Sequence, residues 1–171
     1  MIDISPAVAV QGSGNPCARA SQIHHLGVVV KQINSETVAG LLSAVDGTWD
    51  EAIFDDPYQS VRVTFLRPTA SAIPAVELVE PCGPASPVYS FLRRGGGLHH
   101  LCFEVPDLDA CLAQYPTSSA RIVRPPYPAV AFEGRPIAWV YQRHGLLIEY
   151  LASEASESCV TSDKAVAVPA R

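Results

Sequence analysis

IHHLGVVV at residues 23–30 and LHHLCFEV at residues 98–105 are one strand written twice. A repeat of this kind governs the reading of everything around it. Each copy is followed by a short break and then by a helical pattern. In the first half Ser35, Val38, Leu41, Leu42 and Val45 recur at helix-like spacing; in the second, Leu108, Cys111, Leu112 and Tyr115 do so after Pro106-Asp107. Strand-like runs follow each helix: VRVTFL (61–66) and AVELVE (75–80), then RPIAWVY (135–141) and GLLIEYL (145–151). The predicted fold class is α+β, with two βαβββ modules, about 21–82 and 96–152, related by a pseudo-twofold and forming one cupped mixed sheet.

The same repeat singles out four side chains. His25 and His100 are 75 positions apart, and Glu77 and Glu149 are 72 apart. Each half thus offers a histidine on its first strand and a glutamate on its last. Strand side chains alternate faces. His25 shares a face with Gly27 and Val29, while His100 shares one with Cys102 and Glu104. The residues next to each histidine on its own face are small, which leaves room above the sheet. Glu77 in AVELVE and Glu149 in LLIEYL interrupt apolar strands, where a carboxylate is costly unless paired or bound to a metal. Two imidazoles and two carboxylates suit one divalent ion such as Zn²⁺, Co²⁺, Mn²⁺ or Ni²⁺. The competing reading is coincidence of two HHL triplets with ordinary strand-edge charges; four positions at nearly one offset argue against it.

Composition narrows the class. The chain has 171 residues, 48% hydrophobic and 17% charged, with a net charge of −5. That balance predicts one globular domain over 21–152. Nothing resembles the clustered Lys and Arg of a nucleic-acid footprint. No stretch approaches the ~20 apolar residues of a membrane span. The first residues lack the pattern of a signal peptide. Residues 1–20 and 153–171 read as mobile tails. Five cysteines without a C-x-x-C pair argue against a disulfide framework or a thiolate zinc site, so reduced thiols and a cytoplasmic location are expected.

Other residues have humbler roles. Alternation turns His24 and His99 away from His25 and His100, to pack or hydrogen-bond beneath a helix. Arg93, Arg94 and Gly95-Gly96-Gly97 have the chemistry to cradle a phosphate, but a connection between modules with exposed arginines is favoured. Glu80 marks a strand end. Glu104 is a structural or secondary polar group, His144 a loop residue, and Trp49 and Trp139 core or rim.

The arrangement resembles the vicinal oxygen chelate superfamily, and within it the methylmalonyl-CoA epimerases. The likeness rests on IHHLGVVV, on QSVRVTFL followed by VELVEP, on SPVYSFLRRGGGLHHLCFEVPDLDA, on FEGRPIAWV and on GLLIEYL. It covers about residues 22–152 and is most specific from Val76 to Val105. The resemblance implies that the family's metal ligands fall on His25, His100 and Glu149, with Glu77 at a fourth position. It further implies a metal-dependent epimerase or isomerase that moves a proton α to a carbonyl. Glu77 and Glu149 would be its acid–base pair, an acyl thioester or other carbonyl compound its substrate, and a homodimer its assembly. Three stretches depart from the epimerase pattern: DGTWDEAIFDDPYQ, the Pro-rich loop RPPYPAVAF, and the short loop Tyr141-Gln142-Arg143-His144. They keep open a specialised-metabolism isomerase, cyclase or lyase of the same superfamily, acting on a different carbonyl substrate. A metal-free binding or resistance protein is disfavoured by the four matched positions. An iron dioxygenase, which needs two histidines and one carboxylate, is disfavoured by the epimerase-like motifs.

Overall fold

The two HHL strands lie side by side. In a computed structural model, which describes residues 22–115 and 120–154, β1 (Gln22–Val29) pairs antiparallel with β6 (Gly97–Val105) at the centre of the sheet. The first half continues through α1 (Ser35–Leu42), β2 (Gly47–Trp49), β3 (Phe54–Asp56), β4 (Val61–Pro68) and β5 (Ala75–Pro81). The second half runs through α3 (Leu108–Leu112), β7 (Ala120–Pro128), β8 (Pro136–Gln142) and β9 (Leu147–Ala152). Between them, α2 spans Tyr89–Arg93. The strand order is β2-β4-β5-β1-β6-β9-β8-β7, with β3 also on β4. β1 is parallel to β5, and β6 is parallel to β9. Because β2 and β3 share one strand position beside β4, the result is an open mixed sheet of two βαβββ halves, as expected from the repeat. The predicted tails lie outside the described residues, apart from Ser153 and Glu154.

Chemically similar residues start α1 and α3. The Asn34 side chain accepts from Thr37 N, and that of Asp107 accepts from Ala110 N. Each satisfies an otherwise orphaned first-turn amide. α1 covers Val76, Leu78 and Leu66 on one face of the sheet; α3 covers Ala138, Val140, Ile148 and Tyr150 on the corresponding face of the other half. A third apolar group, including Val61, Val63, Phe65, Val79, Phe132 and Ile137, lines the opposite, concave face.

Several elements differ from the sequence expectations. RPPYPAVAF is not simply a loop: its first residues belong to β7 and the rest to a 3-10 turn over Val130–Phe132. Three prolines are tolerated in β7 because it is an edge strand, with one side free of ladder bonds. DGTWDEAIFDDPYQ holds the short strands β2 and β3, both paired with β4. The connection between modules contains α2, followed by Gly95, Gly96 and Gly97, all at positive φ. A side chain at Gly96 would also run into the Val29 carbonyl. The triple glycine therefore serves a tight backbone turn, beside exposed Arg93 and Arg94. Of the described cysteines, Cys82 and Cys102 carry free thiols, but Cys111 is in a disulfide. That departs from the expectation of reduced thiols, because residue spacing does not reveal which sulfurs meet in space.

Candidate metal centre

Two rows of register partners cross the seam between the halves. In one, Phe65, Glu77, Gly27 and His100 are successive partners on β4, β5, β1 and β6. In the other, His25, Cys102, Glu149 and Trp139 follow one another on β1, β6, β9 and β8. The rows are related by the pseudo-twofold. In each, a glutamate from one half and a histidine from the other flank a small residue. The need for smallness is steric at Gly27, where a Cβ would overlap the His100 ring.

All four predicted side chains converge. His25 Nε2 lies 3.0 Å from Glu149 Oε2, 3.5 Å from Glu77 Oε2 and 3.3 Å from His100 Nε2. His100 Nε2 lies 3.2 Å from Glu77 Oε2 and 3.5 Å from Glu149 Oε2. Four donor atoms held ~2.0–2.2 Å from a shared divalent ion, at tetrahedral or octahedral angles, would be spaced by just these separations. All four residues are buried, His25 completely. The donor set and its spacing therefore fit such an ion.

Charge follows from the packing. Burial disfavours the charged form of each group, but the opposite charges prevail. Against burial, Glu77 and Glu149 together hold the His25 imidazole up at about 10. His100 is raised in the same way. The two carboxylates are held below their ordinary range, burial being outweighed by both imidazoles. Burial pushes the Cys102 thiol well up, assisted by Glu149 and Glu77.

His24 and His99 do not lie beneath helices as alternation predicted. The β1–β6 pairing shifts register twice, passing over His24 on one strand and His99 on the other. A bulge of this kind inserts one residue and re-aims its neighbours. His24 Nδ1 lies 2.9 Å from His25 Nδ1, and His99 Nδ1 lies 3.1 Å from His100 Nδ1. His24 packs edge-on to Phe132; His99 packs edge-on to Phe91. Burial first, and the adjacent histidine second, lower both; His99 falls to about 4. They are neutral partners for the outward nitrogens of the converging histidines. Only the doubling of histidine in each copy signalled them, since alternation assumes an unbroken ladder.

The remaining candidates have partners of their own. Glu80 receives Arg62 at 2.8 Å and the Ile33 amide at 2.6 Å. Glu104 pairs with Arg135 at 3.0 Å. Trp49 donates to Thr64 within the core beneath α1. Trp139 sets its ring edge-on to His100 with centroids 4.7 Å apart and donates to Tyr127 Oη. His144 is an exposed turn residue.

A cavity of about 330 Å³ opens onto Glu77, His100 and Glu149. Its walls include Val61, Val63, Val79, Val88 and Trp139, with Gln59, His99 and Arg124 as polar groups. A larger hollow, about 640 Å³, lies beyond Phe65 and Phe132 and touches none of the four converging residues. Size alone would choose the second; the chemistry lies in the first.

Residues 24–139 match the Glyoxalase/Bleomycin resistance protein/Dioxygenase superfamily, and the chain belongs to it. Within that superfamily it is similar to epimerases of acyl-CoA thioesters. The ethylmalonyl-CoA/methylmalonyl-CoA epimerase of Cereibacter sphaeroides is 28% identical over 132 residues, covering 75% of this chain and 95% of that protein. A variant of the Streptomyces coelicolor methylmalonyl-CoA epimerase, solved with 2-nitronate-propionyl-CoA, superposes with a TM-score of 0.64 at 26% identity, over 78% of this chain and 97% of that one. A methylmalonyl-CoA epimerase solved with methylmalonyl-CoA and NH4+ shares the fold, with a TM-score of 0.66 at 24% identity, over 79% and 96% of the two chains. The chain is thus an epimerase-like member of its superfamily. Among the described residues no helix is long and apolar enough to cross a membrane.

Proposed function

We propose that the protein is a metal-dependent epimerase or isomerase that moves a proton on the carbon next to a carbonyl. A methylmalonyl-CoA-like acyl thioester is the first candidate substrate. His25, Glu77, His100 and Glu149 would hold one divalent ion, Co²⁺, Zn²⁺, Mn²⁺ or Ni²⁺. The observation that carries the reading is the set of five donor separations between 3.0 and 3.5 Å at the floor of a cavity. When bound, such an ion supplies Lewis acidity toward a substrate carbonyl and lowers the cost of charge on its oxygen.

The chain's own groups supply the rest. Glu77 and Glu149 come from opposite halves and both border the cavity. Each turns Oε2 toward the histidines, so Oε1 is the atom assigned to carry a proton. In the proton transfer one of them, ionised, takes the α-proton, and the other, protonated, returns one from the opposite side. Valines at 61, 63, 79 and 88 limit water around the reacting carbon. One domain over 21–152, a homodimer and a cytoplasmic location complete the reading. The first rests on the repeat, the second on family resemblance and the third on the cysteine pattern, with the Cys111 disulfide weighing against it.

The test is incubation of metal-loaded protein with (2R)- or (2S)-methylmalonyl-CoA in D₂O, followed by mass spectrometry of the thioester. Deuterium should enter the α-position. Glu77→Gln should stop uptake even where metal is still bound, and Glu149→Gln should weaken both metal binding and turnover. No uptake above the uncatalysed control, with metal confirmed in the site, would remove this substrate and leave an isomerase, cyclase or lyase acting on another carbonyl compound.

A further inference from the structure

The row that carries His25, Cys102, Glu149 and Trp139 runs one strand further. Trp139 on β8 is the register partner of Arg124 on β7. Cross-strand partners share a face, and adjacent strands lie ~4.8 Å apart, so the Arg124 backbone stands ~10 Å from that of Glu149 on the concave side. Arg124 lines the same cavity as Glu77, His100 and Glu149. It is the one arginine or lysine among the described residues that do so.

The guanidinium is held in place without being neutralised. It lies over the Tyr127 ring at 4.3 Å, and Nη2 donates to the Tyr58 carbonyl at 3.0 Å. The Tyr127 hydroxyl is in turn held by Trp139 Nε1 at 3.1 Å. Among the described residues no carboxylate comes within ion-pair distance of Arg124. An arginine has five N–H donors in a fixed fork, so one hydrogen bond leaves most of them for a ligand. The wall around it is apolar, with Val123, Val61 and Leu147. A fixed, unpaired fork in a partly desolvated pocket is suited to a planar or tetrahedral oxyanion.

We infer that Arg124 is a specificity-determining residue that binds an oxyanion, carboxylate or phosphate, carried by the substrate some distance from the oxygens that reach the metal centre. This rests on the function proposed above and narrows its substrate class to anionic carbonyl compounds. The span from Glu149 to Arg124 places the anion at the far end of a small molecule, or at a charged group of a longer carrier.

Cobalt-loaded protein separates these sources and tests both readings. 2-Oxoglutarate and 2-oxopentanoate share vicinal oxygens and chain length but differ in the distal carboxylate. Propionyl-CoA and propionyl-pantetheine differ in the nucleotide phosphates. Affinities are measured by calorimetry, and the visible spectrum of the cobalt ion reports whether each probe reaches it. The anionic member of at least one pair should bind about tenfold tighter or more. That advantage should vanish in Arg124→Gln, persist in part in Arg124→Lys, and leave the affinity for cobalt itself unchanged. Which pair shows it identifies carboxylate or phosphate. If spectra respond but neither anion helps, or the advantage survives Arg124→Gln, the role of Arg124 is overturned while chelation stands. If no probe perturbs the cobalt spectrum, chelation fails and this inference falls with it.

Discussion

His24 Nδ1 lies 2.9 Å from Nδ1 of His25, and the relation is repeated at 3.1 Å between His99 and His100. Consecutive residues of an unbroken strand would face opposite ways; the paired bulges bring them together. Each inner histidine then has one nitrogen for the cluster and the other fixed by its neighbour. Such outer partners set ring orientation and tautomer, and their loss typically costs ~10–100-fold in metal affinity. Replacing His99 with Phe should weaken metal binding by that order, and His99→Asn should restore part of it. Competition titration against a chromophoric chelator gives the constants; equal affinity in all three proteins would deny His99 a positioning role.

The inner residues should be more demanding. His25→Ala and His100→Ala should each reduce bound metal from about one equivalent to a small fraction, since each removes a donor and leaves two buried carboxylates facing one imidazole. Elemental analysis of protein purified without chelator decides this. Full occupancy in both variants would end the four-residue assignment.

Two glycines should respond oppositely to alanine. At Gly27 the new Cβ overlaps the His100 ring, so the side chain or the β1–β6 seam must move. We expect a loss of ~1–3 kcal/mol in stability together with reduced metal content. At Gly40, in α1, nothing stands within 4 Å of the added carbon. Gly40→Ala should be neutral or stabilising by up to ~1 kcal/mol. Thermal melts of the two variants, with metal analysis, make the comparison; a harmless Gly27→Ala would contradict the tight row.

The metal-free protein should have an acid-side optimum of stability. The carboxylates are held below their ordinary value of 4.5, so their contribution is present above that pH and lost as pH falls through the lowered folded value. The imidazoles are held above 6.5, His25 at about 10, so their contribution is complete below 6.5 and disappears as pH rises toward 10. Stability should therefore peak between those two ordinary values and decline on the alkaline side. Metal binding needs neutral imidazoles and releases their protons, so affinity should rise over the same alkaline interval. Melting chelator-treated and metal-loaded samples across that range tests both slopes.

Much of this site was legible because its logic is arithmetic. Two histidines and two glutamates at nearly one offset define a repeat, and alternation assigns Gly27 and Cys102 to the spaces beside the histidines. What escaped was whatever depends on departures from a regular ladder. Bulges at His24 and His99 break the count on which face assignment depends. β7 hid behind Pro125, Pro126 and Pro128, residues that signal a loop unless the strand is known to be an edge. Arg124 is illegible in the sequence for the same reason: its place in the cavity is set by pairing with Trp139, and no local pattern announces a row five strands wide.

The seam between β1 and β6 also orders events in time. His25 and His100 are 75 positions apart along the chain, so a ribosome delivers the first strand long before its central partner. Until residues 97–105 emerge, the β1 edge bearing His25 is an unpaired template for any strand nearby. The four-residue cluster cannot assemble at that stage, because His100 and Glu149 have yet to be synthesised. The site is complete only once the second half has been made, and until β6 arrives the nascent chain is open to wrong pairing.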